Sequence, residues 1–169
     1  DDFTYAIMPA GGPARGVLHS DMSDLRVVLD TNVFIGAIKG AGAEAGGLNR
    51  QVLRLGFRCA LTPLMGAAHF AEHESLLARP GLCEECRLDA HERDELFNGY
   101  LAICRWVPVY SLWRPNLRDE ADNHVVELAA AGGTAIIVTD NTRDFIGDHM
   151  DFLGITPLAP TEFLEEPER

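Results

Sequence analysis

The chain contains a single lysine, Lys39, among its 14 basic residues; the others are arginines, set against 26 aspartates and glutamates for a net charge of −12. Such an acidic excess argues against a broad basic surface tracking a nucleic-acid backbone, although several carboxylates gathered in one metal-binding crevice would account for part of it. The arginines suit bidentate phosphate contacts. Long apolar runs are missing too: none approaches the ~18 residues of a membrane-spanning helix, so no membrane association is expected. The chain opens on Asp1 and Asp2, without the basic segment of a secretory signal. The four cysteines, Cys59, Cys83, Cys86 and Cys104, are therefore expected as reduced thiols of a cytoplasmic protein. Cys83-Glu-Glu-Cys86 is a lone C-x-x-C with only His91 close by. With no second pair at comparable spacing, it reads as thiols in a helical connection more readily than as a zinc knuckle.

What is present is enough for one domain with a sizeable core: 169 residues, 47% of them hydrophobic. Residues 1–24 differ from the rest. The stretch MPAGGPARG reads as irregular chain, and residues 1–24 are expected as an extension or leader outside a domain spanning 25–166. If they form a peptide that folds back, Arg15 would approach Asp30.

From Leu25 onward, short apolar runs alternate with helix-like segments. The first strand is expected over Leu25–Leu29, a second over Arg58–Leu61, a third over Trp106–Val109, a fourth over Thr134–Thr139 and a last over Ile155–Leu158. Helices are expected over Val33–Ile38 and Leu48–Leu55. Another should begin at Thr62-Pro63, as cap and first position, and run to Ala78. Further helices follow over Leu88–Cys104, over Arg118–Ala131 closed by Gly132-Gly133, and over Pro160–Glu165 with Thr161 as cap. This alternation implies an α/β fold, a parallel sheet covered on both faces.

Four acidic segments punctuate this pattern in a fixed order: Asp30 in VVLDTN, Glu72 in FAEHESLLARP, Asp122 in RDEADNHVVELA and Asp144 in IIVTDNTRDF. Carboxylates at strand ends and on neighbouring helices converge on one crevice in open α/β sheets. Several close carboxylates repel one another unless hard cations neutralise them, so the set points to metal-dependent phosphoryl transfer. Each acid also has an ordinary structural alternative. Asp30 would cap a helix, Glu72 would be a solvated helix carboxylate, and Asp119 and Asp122 would complement a helix dipole. The segment around Asp144 would be a capped turn. Asp122 shares the phase of Val125, Val126 and Ala129, whereas Asp119, Asp140 and Glu74 drop back. His69 and His73 stand at i,i+4, but without an H-E-x-x-H pattern they are not taken as a metal-binding pair.

The segments VVLDTNVFIGAI, LTPLMGAAHFAEHESLLARP, RDEADNHVVELAAAGGTAIIVTDNTRDF and ITPLAPTEFLEE together resemble the PIN-domain (PilT N-terminus-like) ribonuclease family, in its branch of VapC-like toxins of toxin–antitoxin operons. The resemblance implies a three-layer α/β/α sandwich around a short parallel sheet, and RNA cleavage by water activated on Mg²⁺ or Mn²⁺. By motif, Asp30, Glu72, Asp122 and Asp144 are the catalytic acids; Asp30, Asp122 and Asp144 would hold the metal, with Glu72 as a ligand or water-orienting base. Thr31, Asn32, Thr139 and Asn141 would support them by hydrogen bonds, and Arg118 or Arg143 would contact phosphate. Asn141 stands where the family usually has an aspartate, which favours one firmly held metal over two. The resemblance further implies a cognate antitoxin as partner, and dimers are common in the family. Two other readings remain. A degenerate PIN domain would bind RNA or protein without catalysis. A dehalogenase-like phosphatase would need an aspartate where Asn32 stands.

Overall fold

A computed structural model describes residues 25–39, 44–83, 86, 88–110, 122–134, 136–146 and 148–165. The segment 1–24, with Arg15, lies outside the described residues, as do Arg118 and Asp119.

The sheet has five parallel strands, β1 (Arg26–Leu29), β2 (Thr62–Met65), β3 (Arg105–Trp106), β4 (Ile136–Val138) and β5 (Thr156–Leu158), in the order β3-β2-β1-β4-β5. The helices are α1 (Thr31–Lys39), α2 (Glu44–Phe57), α3 (Ala67–Leu77), α4 (Ala90–Ile103), α5 (Asn123–Gly132), α6 (Asp148–Leu153) and α7 (Pro160–Glu165), with 3-10 turns at Pro80–Cys83 and Thr142–Phe145. Among the described residues, no helix is long and apolar enough to cross a membrane.

Strand side chains alternate between faces, and here both faces are buried. Val27 and Leu29 of β1, Met65 of β2 and Val138 of β4 point into one core, with Phe34 of α1, Leu53 of α2, Tyr100 of α4 and Phe163 of α7. Val28, Leu64 and Ile137 point into the other, with Val125 and Leu128 of α5, Phe145 and Met150. The result is the expected three-layer α/β/α sandwich. Each fully buried aliphatic or aromatic side chain contributes about 1.5–3 kcal/mol, so this two-sided burial, not helix propensity, fixes the order of the elements. Contact is close enough at Gly36 of α1 that an added Cβ would stand 2.3 Å from Asn49 Nδ2 of α2.

Three helices end in the same way. Cys59, Gly133 and Gly154 adopt positive φ (59°, 64° and 64°). After each helix, paired amides return to carbonyls of the last turn: Cys59 to Gly56 and Ala60 to Leu55, Gly133 to Ala130 and Thr134 to Ala129, Gly154 to Asp151 and Ile155 to Met150. This double bond is the left-handed helix-closing motif. Gly133 therefore closes α5 as expected.

At Cys59 the same motif overturns the strand expected over Arg58–Leu61. The second strand is instead Thr62–Met65, all four residues buried. The helix expected to begin at Thr62-Pro63 starts at Ala67. The Thr-Pro pair carries a helix-start signal, but pairing of β2 with β1 and β3 wins over it. At α7, the Glu162 carboxylate accepts from the Ala159 amide at 2.8 Å, so Ala159, not Thr161, occupies the cap. Helix α4 starts one residue after Asp89, whose capping box with Glu92 is complete. Cys59 and Cys104 are free thiols.

Candidate metal-binding crevice

Strand order reverses direction at β1: the chain moves from β1 to β2 on one side, and β4 lies on the other. The crevice beyond the C-terminal ends of β1 and β4 is thus the topological switch point, where open α/β sheets place ligands. Asp30 is the residue after β1, and its amide donates to Val138 O at 2.9 Å. Thr139, the residue after β4, is wholly buried.

Asp30 is only 6% exposed. Its Oδ2 accepts from Thr139 Oγ1 at 2.7 Å and from Asn32 Nδ2 at 2.8 Å. Thr139 Oγ1 accepts in turn from Asn32 Nδ2 (3.2 Å) and from the Asn141 amide (3.1 Å). Asn32 Oδ1 accepts from the Asp140 amide at 3.1 Å, while the exposed Asp140 carboxylate accepts from Asn49. Burial pushes the Asp30 carboxyl above its usual range; the Thr139 bond opposes this, and the negative charge of Glu72 reinforces it.

A second network lies on the helices α3 and α5, beside the end of β1. Glu72 Oε2, on α3, accepts from Thr31 Oγ1 at 2.6 Å and from His124 Nε2 at 3.0 Å. His124 Nε2 lies 3.3 Å from His69 Nδ1. His69 Nε2 is 2.8 Å from Leu29 O; a carbonyl only accepts, so Nε2 carries the proton and Nδ1 presents its lone pair to the cluster. Burial holds the Glu72 carboxyl up, but the bonds from His124 and Thr31 outweigh it and bring it down to about 2. Burial lowers His69 to about 3, with His73 and His124 adding to the effect, so this imidazole is neutral.

The i,i+4 histidines meet edge to face, with ring centroids 4.6 Å apart, but their ring nitrogens do not converge on one point. His73 Nδ1 donates to His69 O at 2.8 Å, and its ring stacks on Phe97 with centroids 5.6 Å apart, beside Phe34 and Tyr100. It is a core histidine, wholly buried. The partner of His69 is His124, which no sequence motif singled out. Two signals were available: His69 precedes Glu72 by three residues and so shares its helix face, and His124 follows Asp122 by two.

The crevice thus joins Asp30, Thr31, Asn32, Glu72, Thr139 and Asn141 in two hydrogen-bonded networks. Asp122 stands at the cap position of α5 without a side-chain cap bond. Asp144 lies in the 3-10 turn after β4, where its Oδ2 accepts a short bond from Asn141 Nδ2; Arg143 beside it is exposed. Among the described residues, the three ligand atoms lying within 4.8 Å of one another belong to His69, Glu72 and His124, not to Asp30, Asp122 and Asp144. The negative charge of Glu72 adds to the burial that raises the Asp30 carboxyl, and a cation held between Asp30 and Glu72 would offset that repulsion.

Comparisons with known proteins agree with the fold. A family model described as PIN domain matches residues 26–143. Among solved structures, VapBC2 from Rickettsia felis, bound to a DNA fragment from its promoter, is similar in fold, with a TM-score of 0.51 over 80% of this chain and 98% of that chain, at 13% identity. No curated protein sequence matches. With the family model spanning more than half of the sequence and a parallel α/β/α sheet presenting Asp30 at its switch point, the chain belongs to the PIN-domain family.

Proposed function

We propose that this PIN domain is a metal-dependent endoribonuclease, the toxin of a toxin–antitoxin pair acting in the cytoplasm. The observation that carries the reading is Asp30 at the switch point, held by Thr139 and Asn32, with Glu72 near enough that its charge raises the Asp30 carboxyl. Asp30, Asp122 and Asp144 are the proposed ligands of Mg²⁺ or Mn²⁺, and Glu72 orients the attacking water. The ion, when bound, supplies an activated water and neutralises charge on the scissile phosphodiester. Thr139 and Asn32 hold the Asp30 carboxylate in one orientation. Thr31 and His124 keep Glu72 ionised and directed into the crevice. Asn141, bonded to Asp144, orients that carboxylate. Arg143 is exposed at the rim, and Arg118 is a second candidate for phosphate contact. The partner consistent with this reading is a small antitoxin that covers the crevice, and residues 1–24 are proposed as an extension outside the domain at 25–166.

The test is cleavage of RNA with Mg²⁺ or Mn²⁺ by the full chain and by Asp30→Asn. A loss of about 100-fold or more is expected, the equivalent of several kcal/mol of transition-state charge stabilisation. An unchanged rate in Asp30→Asn would mean that a contaminant cleaves the RNA. Absence of cleavage with either ion would favour the second reading, a non-catalytic binding module, which the Asn141 amide in place of a carboxylate supports.

A further inference from the structure

The cluster on the helix wall has a chemistry distinct from that of the acids. Its three candidate ligand atoms are His69 Nδ1, Glu72 Oε2 and His124 Nε2. They are separated by 3.3 Å (His69 to His124), 3.0 Å (His124 to Glu72) and 3.9 Å (His69 to Glu72). A tetrahedral ion with bonds of about 2.0–2.1 Å to nitrogen and oxygen sets its ligands about 3.4 Å apart. The observed triangle has edges of that size, so an ion just off its plane reaches all three atoms.

The ligands are also oriented in advance. Leu29 O fixes the His69 tautomer so that the Nδ1 lone pair faces the cluster, the backbone support that metal-binding histidines commonly have. The His69 side chain is 1% exposed and cannot turn its lone pair to water, whereas Glu72 and His124 keep 33% and 16% exposure. That leaves a solvent-facing side for a fourth ligand. Thr31 donates to Glu72 Oε2 and aims it at the histidines.

We propose that His69, Glu72 and His124 form a nitrogen-rich site for a borderline divalent transition ion of the Zn²⁺ or Co²⁺ type, with an open fourth position. On binding, the Nε2 proton of His124 passes to solvent and the neutral ring carries its one proton on Nδ1, so that Nε2 offers its lone pair. Two imidazoles and one carboxylate select against Mg²⁺, which requires oxygen ligands. The site borrows Glu72 from the acidic crevice but does not depend on that crevice being catalytic.

Co²⁺ is the probe, because its visible absorption reports a four- or five-coordinate nitrogen–oxygen environment without any assay of cleavage. The full chain should bind one Co²⁺ with this signature, and Zn²⁺ should displace it while excess Mg²⁺ should not. His124→Ala removes a ligand and should weaken binding by more than the about 10–100-fold that loss of an outer supporting bond costs. Thr31→Val should weaken it by about tenfold, and Asp30→Asn should leave it in place. Thermal unfolding of each variant without metal separates lost ligation from lost fold. Should His124→Ala prove unfolded, His124→Gln carries the same expectation. No visible Co²⁺ signature in the full chain would overturn the proposal. So would a signature that survives His124→Ala and disappears in Asp30→Asn, since the ion would then belong to the acids. Co²⁺ bound through His124 in a protein that cleaves no RNA would sink the nuclease reading and leave this site standing.

Discussion

Asp30 and Glu72 face the same crevice under opposite electrostatic regimes. Asp30 ends a central strand, buried to 6% exposure, and its carboxyl is raised by burial and by Glu72 against the pull of Thr139. Glu72 sits mid-helix with a third of its side chain exposed; burial raises it too, but His124 and Thr31 hold it down at about 2. A site that holds one carboxylate firmly ionised beside another whose ionisation is costly is poised for a cation, which relieves the second without disturbing the first.

The largest expected effect tests that opposition through stability. For Asp30 the folded value lies above the unfolded one, so ionising it costs stability as pH rises from the unfolded value of 3.8 through the raised folded one. For Glu72 the folded value lies below, so its contribution is present above the unfolded 4.5 and is lost as pH falls toward about 2. Near neutral pH and without divalent ions, Asp30→Asn should therefore raise the melting temperature and Glu72→Gln should lower it. At about pH 3 the Asp30→Asn gain should shrink toward zero, while part of the Glu72→Gln loss persists. Thermal melts of the three proteins across that range decide the matter. Shifts of the same sign at neutral pH would mean that the two carboxylates are not held in opposite states.

The two threonines extend the comparison with smaller effects. Thr139 is wholly buried and serves Asp30, Asn32 and the Asn141 amide at once. Thr139→Val leaves these groups short of a partner and should cost about 1–3 kcal/mol in denaturant unfolding. Thr31→Val removes one of two bonds to Glu72, which keeps His124, and should cost about 0.5–1.5 kcal/mol. A larger loss for Thr31 than for Thr139 would place the more demanding network on the helix wall instead.

The same two walls differ in how far the sequence revealed them. Asp30 and Thr139 each follow a continuous apolar run, and a run that stops at a polar residue marks a strand's C-terminal edge without reference to anything distant. The Asp30 wall was therefore legible. The His124–Glu72 contact joins residues 52 apart on two helices, and nothing local to either says that they meet. Strand β2 shows the same limit: Thr62-Pro63 reads as a helix start from its own residues. Its pairing with β1, Arg26↔Thr62 and Val27↔Pro63, and with β3, Leu64↔Arg105 and Met65↔Trp106, makes it a buried strand.

The smallest effect concerns Asn141, which the motif resemblance aligns with an aspartate of the family. Its Nδ2 now donates to Asp144. Asn141→Asp replaces that donor with a second carboxylate and sets two like charges side by side. Asn141 is exposed, so water screens the repulsion and stability should change by no more than about 0.5 kcal/mol. Divalent binding should respond more than folding, because the repulsion that costs little in water is turned to attraction by a cation. Calorimetric titration of Mg²⁺ should show affinity rising by about threefold to tenfold, the equivalent of roughly 1 kcal/mol. Co²⁺ bound through His124 should not change. Equal gains for both ions would mean that the two walls form a single site, and the contrast between an oxygen wall and a nitrogen wall would fall.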